Sequence, residues 1–333
     1  MNEYVSKRAK VVCAAALAFL ALTAFAVADP NPQAFENWKT DFAKHGVELS
    51  EIRSGGPAKD GIPAIDTPKI VPVSEVKNLA DRDPVIRVVI NGEARAYPLA
   101  VLTWHEIAND RIGGVPIAVT YCPLCNAAIV FDARLGELEL DFGTTGRLRN
   151  SDLVMYDRQT ESWWQQFSGE AIIGELAGAK LKMLPSRIAS WREFREEFPD
   201  ARVLVPNNPD LRAYGRNPYA FYDSARKPFL YDGTMPAGIE PMERVVVVRD
   251  SESPLIVSLA HLRESGEYSL DGIRISWRAG VASALDTEEI ARGRDAGGVI
   301  VTRMSDGTEL VHDVTFAFVA HAFHPGVEIV GAR

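Results

Sequence analysis

The chain has 333 residues, of which 47% are hydrophobic and 24% charged, a composition typical of globular proteins. Its formal net charge is -9 and its basic residues form no cluster. This argues against nucleic-acid binding, which needs concentrated positive charge. A chain of this length can bury one large core or two moderate ones.

The amino terminus has the pattern of a signal peptide. Residues 7–10 include three basic side chains, an apolar run follows at 11–24, and Ala26-Val27-Ala28 offers the small residues that a signal peptidase reads. We expect 1–28 to be a cleaved leader, which takes Cys13 with it, and the protein to be periplasmic or secreted. An uncleaved membrane anchor is the alternative. No later run is long enough to cross a bilayer, which predicts a mature chain without a membrane span.

Prolines and glycines divide the rest of the chain. Residues 29–70 are predicted to be an extended lead-in, 71–205 a first lobe, 206–241 an irregular connection and 242–333 a second lobe. The connection contains six prolines and four tyrosines. This composition is typical of a linker or a covering loop.

Short apolar runs separated by turn signals predict a β-rich α+β fold of short strands and short helices. One pattern occurs twice: Val85–Val88 and Val245–Val248 are followed, at the same separation, by Leu99–Leu102 and Leu259–Leu262. We interpret it as an internal duplication that gives two similar lobes, with a chance match between β-rich segments as the alternative. The second copy has Arg278-Ala279-Gly280 where the first has its cysteines, so we expect chemistry in the first lobe only.

Cys122 and Cys125 flank a Pro-Leu dipeptide at the end of a predicted strand and are the most specific chemical feature of the chain. The first interpretation is a redox-active dithiol, in which one thiolate of lowered pKa attacks a substrate and the second sulfur resolves the intermediate. Residues 126–131 have the pattern of a strand rather than of a helix whose N-terminus would lower a thiol pKa. This argues against a thioredoxin fold.

Three other interpretations of the pair stay open. The cysteines are metal ligands together with His105 or Met155, and copper then fits better than zinc, because the sequence lacks the second ligand pair of a structural zinc centre. Alternatively they form a structural disulfide in a non-catalytic module, where so small a loop adds only about 2 kcal/mol of stability. In the last interpretation they are two unrelated core cysteines.

The segment Trp104–Asp110 is the best companion to the cysteines, because it ends a predicted short helix just before their strand. His105 could take a proton from a thiol or bind a metal, or it could only form structural hydrogen bonds. Glu106 is interpreted as an ordinary exposed glutamate. Asp152, Met155 and Trp164 could line a pocket, although core packing explains them as well.

Several long motifs resemble one family. They are Asp60–Asp66, Trp104–Ile107, Val119–Cys125 and Asn150–Thr160, and the resemblance extends over about Ile52 to Phe323. The sequence resembles the bacterial and archaeal family known as domain of unknown function 3179, which has no established activity. Some relatives are described as selenoproteins with selenocysteine at a cysteine of this motif, which implies redox chemistry at Cys122 or Cys125.

The chain departs from the family pattern at Asn126-Ala127, where relatives often have Gly-Thr. From these arguments we predict an exported thiol redox protein in which Cys122 attacks, Cys125 resolves and His105 assists proton transfer. As an enzyme it would be a thiol oxidoreductase acting with an unidentified redox partner or small-molecule substrate. No cofactor is predicted, and copper is the alternative.

Overall fold

Short strands make up most of the secondary structure in the computed structural model, which describes residues 37–250 and 253–333. The predicted leader, 1–28, lies outside these residues. Residues Lys39–Arg333 form one unit. None of the helices in the described ranges is long and apolar enough to cross a membrane.

The strands are short, and the described ranges contain 23 of them. The first eight are β1 Arg53–Ser54, β2 Lys69–Pro72, β3 Pro84–Ile90, β4 Glu93–Pro98, β5 Ile107–Ile112, β6 Val115–Cys122, β7 Ala127–Asp132 and β8 Arg134–Leu135. The next eight are β9 Leu138–Glu139, β10 Phe142–Arg149, β11 Asp152–Asp157, β12 Trp163–Gln165, β13 Glu170–Ile173, β14 Lys182–Leu184, β15 Ser186–Ser190 and β16 Arg202–Val205. The last seven are β17 Arg244–Val248, β18 Leu255–Ser258, β19 Glu267–Leu270, β20 Ile273–Arg278, β21 Gly298–Arg303, β22 His312–Phe316 and β23 Ile329–Val330.

Four α-helices, each of seven residues, connect these strands in the described part of the chain. They are α1 Leu99–His105, α2 Trp191–Glu197, α3 Leu259–Ser265 and α4 Ala317–Phe323. Each makes about two turns, too few for an independently stable helix, so each depends on packing against the sheets.

Five small sheets resemble the blades of a β-propeller. Sheet 1 has the order β15-β3-β4-β16-β2, sheet 2 β14-β7-β6-β5, sheet 3 β1-β10-β11-β12-β13, sheet 4 β22-β17-β18-β23 and sheet 5 β19-β20-β21, and β8 and β9 form a separate two-stranded ribbon. Unlike propeller blades, sheets 1 to 4 each take strands from distant parts of the chain. Four strands of sheet 3, β10 to β13, lie between β7 and β14 along the sequence.

The prediction of an α+β protein with two lobes is wrong, although its β-rich part is right. The helices only link strands and form no layer of their own. The proposed lobes also do not separate, because β15 contacts β21 and β22, and β22 contacts β7. Sheets 1 and 4 do share one pairing order: a central hairpin has an antiparallel strand beside its first member and a parallel strand beside its second.

The largest hydrophobic cluster joins sheets 2, 3 and 4. It contains Cys122 and Cys125 from the β6–β7 loop, Met155 and Trp164 from sheet 3, and Phe316 from sheet 4. β6 and β7 are buried along almost their whole length, which is why their sequences are nearly continuous apolar runs. The cysteines therefore sit where three sheets meet.

Candidate functional site

Cys122 ends β6, and Cys125 lies on the tight loop that joins β6 to β7. The backbone N–H of Cys125 donates to the carbonyl oxygen of Cys122 at 3.2 Å, and that of Asn126 donates to Pro123 at 3.2 Å. Asn126 then adopts a left-handed conformation with φ 53°, which asparagine tolerates better than most residues. This turn holds both sulfurs in the interior, where Cys122 is 2% and Cys125 0% exposed.

A second hairpin tip meets this loop. Arg149 pairs with Asp152 across a two-residue turn formed by Asn150 and Ser151, whose φ angles are 53° and 64°. Two left-handed residues are the requirement of a type I′ hairpin turn. The turn directs the carbonyl oxygen of Ser151 towards the sulfurs, at 3.5 Å from Cys125 Sγ and 3.9 Å from Cys122 Sγ.

Asp152 completes a group of three side chains that could bind a metal ion. The two sulfurs and one carboxylate oxygen of Asp152 all lie within 4.8 Å of one another, and all three residues are buried. Oδ2 of Asp152 accepts hydrogen bonds from Gln165 Nε2 at 2.6 Å and from the Phe167 N–H at 2.9 Å. Oδ1 is equally buried and has no hydrogen-bond partner in the described residues. One oxygen thus fixes the carboxylate while the other remains available.

Glu106 brings a second carboxyl group to the same place. It follows α1 directly with φ 60° and is only 7% exposed. Burial, and then the charge of Asp152, raises the pKa of Glu106 to about 8. The interpretation of Glu106 as exposed is wrong. A signal was present, because the first four residues of α1 are apolar all round and a helix of that kind is buried.

Burial is also the main cause of the other pKa shifts in the cluster. It raises the pKa of Asp152 to about 6, raises that of the Cys122 thiol, and raises that of Cys125 further still. No basic side chain forms an ion pair with Glu106 or Asp152 in the part of the chain that the structure describes. Both thiols are therefore neutral at pH 7.

His105 does not join the cluster. Its Nδ1 lies 2.7 Å from the carbonyl oxygen of Pro63 and its Nε2 2.7 Å from the Tyr214 hydroxyl. Because a carbonyl oxygen only accepts, Nδ1 carries the proton and Nε2 accepts from the tyrosine. Burial lowers the pKa of His105, so the ring is neutral. Both ring nitrogens are occupied away from the sulfurs.

The side chain of Met155 does not point in the same direction as that of Asp152. It lies three residues after Asp152 on β11, so the two side chains point to opposite faces of the strand. Met155 is fully buried and pairs across the sheet with Trp164. The structure thus brings Cys122 and Cys125 together with Asp152, but not with His105.

Two segments close the site. From sheet 4, the Thr315 hydroxyl donates to the carbonyl oxygen of Cys125 at 2.7 Å, and the Phe316 N–H donates to the same oxygen at 3.2 Å. From the irregular stretch 206–241, the Tyr222 hydroxyl donates to the carbonyl oxygen of Leu124 at 3.2 Å. Tyr219, from the same stretch, is mostly buried beside Glu106 and Cys122, and burial raises its pKa. The predicted connection covers the cysteine loop.

Two sequence motifs meet beside the site. Tyr156 donates to Asp60 Oδ2 at 2.5 Å, and Arg158 Nη2 donates to Asp66 Oδ2 at 3.0 Å. These bonds tie residues 60–66 to β11, the strand that carries Asp152. Asp60 and Asp66 therefore hold β11 in place through these bonds, and they are not among the side chains that surround the sulfurs.

Fold and site together define a mostly β protein with a buried centre of two thiols and a carboxylate. Residues 59–327 match the family model described as protein of unknown function (DUF3179). The chain belongs to this family, as the motifs indicated. Comparison with curated proteins and with solved structures gives no match.

Proposed function

We propose that the protein is a thiol oxidoreductase whose Cys122 and Cys125 cycle between dithiol and disulfide, with Asp152 as the proton acceptor. The observation that supports this is the position of a buried carboxylate oxygen within 4.8 Å of two free thiols. A carboxylate with a pKa of about 6 is ionised at pH 7 and can take a proton from a neighbouring thiol. Asp152 replaces His105, the residue that the sequence suggested for this role.

Cys122 is the better candidate for the attacking thiol. It is the more exposed of the two, and its pKa is raised less than that of Cys125. In the proposed reaction, Asp152 takes the proton of Cys122, and the thiolate attacks one sulfur of a substrate disulfide, which releases the first substrate thiol. Cys125 then attacks Cys122, the second substrate thiol leaves, and two electrons have passed from the protein to the substrate.

The buried position of the sulfurs limits the substrate. With the two residues 2% and 0% exposed, any disulfide reaches the sulfurs only when the covering segment 206–241 moves, and a small movement admits a small molecule more readily than a protein surface. We therefore propose a low-molecular-weight disulfide as the substrate class. If the protein is exported, as residues 1–28 suggest, a separate thiol reductant must return the electrons, because exported thiols face an oxidising environment.

The reduction potential of the purified protein, measured with chelator present, tests the proposal. We expect a value above about -300 mV, and a lower value would identify a structural disulfide and overturn the proposal.

Asp152→Asn should slow oxidation of the dithiol by a small disulfide at pH 7 at least about tenfold, since general-base catalysis is worth that much or more. Asp157→Asn is the matched control: Asp157 lies on the same strand, is equally buried and accepts from Trp164 Nε1 at 2.9 Å. Equal rates in the two variants would remove Asp152 from the reaction.

A further inference from the structure

We infer that the reduced centre is also a metal site, which holds a divalent cation of the zinc type through the sulfurs of Cys122 and Cys125 and a carboxylate oxygen of Asp152. The inference rests on the proposed function in one respect only, since it needs the same pair in the dithiol state. It does not require the catalytic step.

The spacing of the donors fits a single ion. Zinc bonds to sulfur are about 2.3 Å and to carboxylate oxygen about 2.1 Å, so tetrahedral ligands lie about 3.6 Å apart. The three donor atoms are already within 4.8 Å of one another. The distance between any two of them therefore has to shorten by at most about 1.2 Å.

The unpaired Oδ1 of Asp152 is an independent indication of a missing partner. A buried carboxylate oxygen without a hydrogen bond is costly, and native proteins rarely leave one. Each sulfur donates to the carbonyl oxygen of Ser151, at 3.5 Å for Cys125 and 3.9 Å for Cys122. A cation bound by the carboxylate and both sulfurs would remove this cost.

The acidic groups around the sulfurs also favour a bound cation. Two thiols and two carboxyl groups, those of Asp152 and Glu106, converge with no ion pair to either carboxyl group in the described residues. Two thiolates held together beside these carboxyl groups would repel one another, and compensating positive charge would stabilise them. A bound divalent cation supplies it, and metal binding at such a site releases protons.

The donor set selects the metal. Thiolate and thioether ligands favour Cu(I), whereas two thiolates with a carboxylate oxygen suit zinc. The copper site expected from the sequence needed His105 or Met155, but His105 is bonded to Pro63 and Tyr214, and Met155 lies on the other face of β11 from Asp152. Three protein ligands leave one position for water.

Titration of the reduced, metal-stripped full chain with Co²⁺ tests the inference, because thiolate-bound cobalt has an intense near-ultraviolet charge-transfer absorption. We expect one Co²⁺ per chain, displaced by one equivalent of Zn²⁺. Cys122→Ser and Cys125→Ser should each abolish the absorption, and Asp152→Asn should weaken binding at least tenfold. Asp157→Asn and Met155→Leu should bind as the unchanged protein does.

Absence of stoichiometric cobalt binding would overturn the inference, as would binding that Met155→Leu abolishes and Asp152→Asn leaves intact. Circular dichroism of each variant separates loss of ligand from loss of fold, and Asp152→Glu, which keeps a carboxylate, should restore part of the affinity. The reduction potential in chelator is measured without metal, so a failure of the metal site leaves the redox proposal standing, and the reverse also holds.

Discussion

The carboxyl groups of Glu106 and Asp152 are buried together, and the charge of Asp152 contributes to raising the pKa of Glu106 to about 8. Two acids in one interior site oppose folding, because each must lose its hydration while repelling the other. The backbone adds to this cost: Glu106, Asn126, Asn150 and Ser151 are all left-handed residues other than glycine. Such strain gathers at functional sites, where the rest of the fold holds it in place.

Glu106→Gln should stabilise the metal-free, reduced protein. The unfolded chain ionises Glu106 above about pH 4.5 and the folded chain only above about pH 8, so the wild type loses stability as pH rises between these values. The variant lacks this loss, and we expect a gain on the order of 5 kcal/mol at pH 9 and none at pH 4. Urea unfolding at both pH values measures it. An equal gain at pH 4 would show that ionisation is not the cause.

Ser151→Gly should also stabilise the protein. Ser151 has φ 64°, a conformation that glycine adopts freely, and its buried hydroxyl has no partner among the described residues. We expect a gain of about 1 kcal/mol. Ser151→Ala removes the hydroxyl but keeps the backbone strain, so comparison of the two midpoints in urea separates these causes. A gain with alanine as large as with glycine would assign the effect to the hydroxyl alone.

The ion pair of Arg95 and Asp110 should carry more stability than its neighbours. The pair is 2.6 Å long with side chains 8% and 7% exposed, and Asp110 also accepts from the Tyr97 hydroxyl at 2.8 Å. Asp110→Ala leaves a buried guanidinium with one fewer partner and should cost about 3–5 kcal/mol. Glu93→Ala removes a second partner of Arg95 that is 42% exposed and should cost less than about 1 kcal/mol. If Asp110→Ala and Glu93→Ala lowered the free energy of unfolding by similar amounts, this prediction would be wrong.

Local sequence patterns were enough to predict the loop that carries the cysteines. The apolar run before Cys122, the proline between the cysteines and the β-branched residues after Cys125 predict strand, turn and strand, and β6 and β7 have that arrangement. The motif resemblance also predicted the family. Both depend on residues that are close in the sequence.

The contacts that define the site depend on residues far apart in the sequence. Cys125 and Ser151 are separated by 26 positions, and His105 and Tyr214 by 109. The apolar first residues of α1 indicate that the helix is buried, but the positive φ of Glu106, at a position without glycine, leaves the direction of its side chain unpredicted. The two-lobe prediction was wrong for the same reason, because the contacts of β15 and β22 with the other half of the chain leave no local signature.

His105 is expected to hold the covering segment rather than to serve the thiols. Its ring accepts from the Tyr214 hydroxyl at 2.7 Å and stacks on the tyrosine ring, with centroids 5.8 Å apart. Tyr214 belongs to 206–241, the stretch whose Tyr222 bonds to the cysteine loop. His105→Gln should therefore leave the reduction potential unchanged and make 206–241 easier to cleave.

Limited proteolysis of the folded protein measures this effect, since cleavage reports local opening. Tyr214→Phe keeps the ring but removes the hydroxyl bond, so it should increase cleavage in the same stretch by a smaller factor. Phe229→Ala is the control, because its side chain is 49% exposed and only its backbone N–H bonds to Tyr222. If His105→Gln instead slowed thiol oxidation and left proteolysis unchanged, the histidine would act on the sulfurs and the role given to Asp152 would have to be shared.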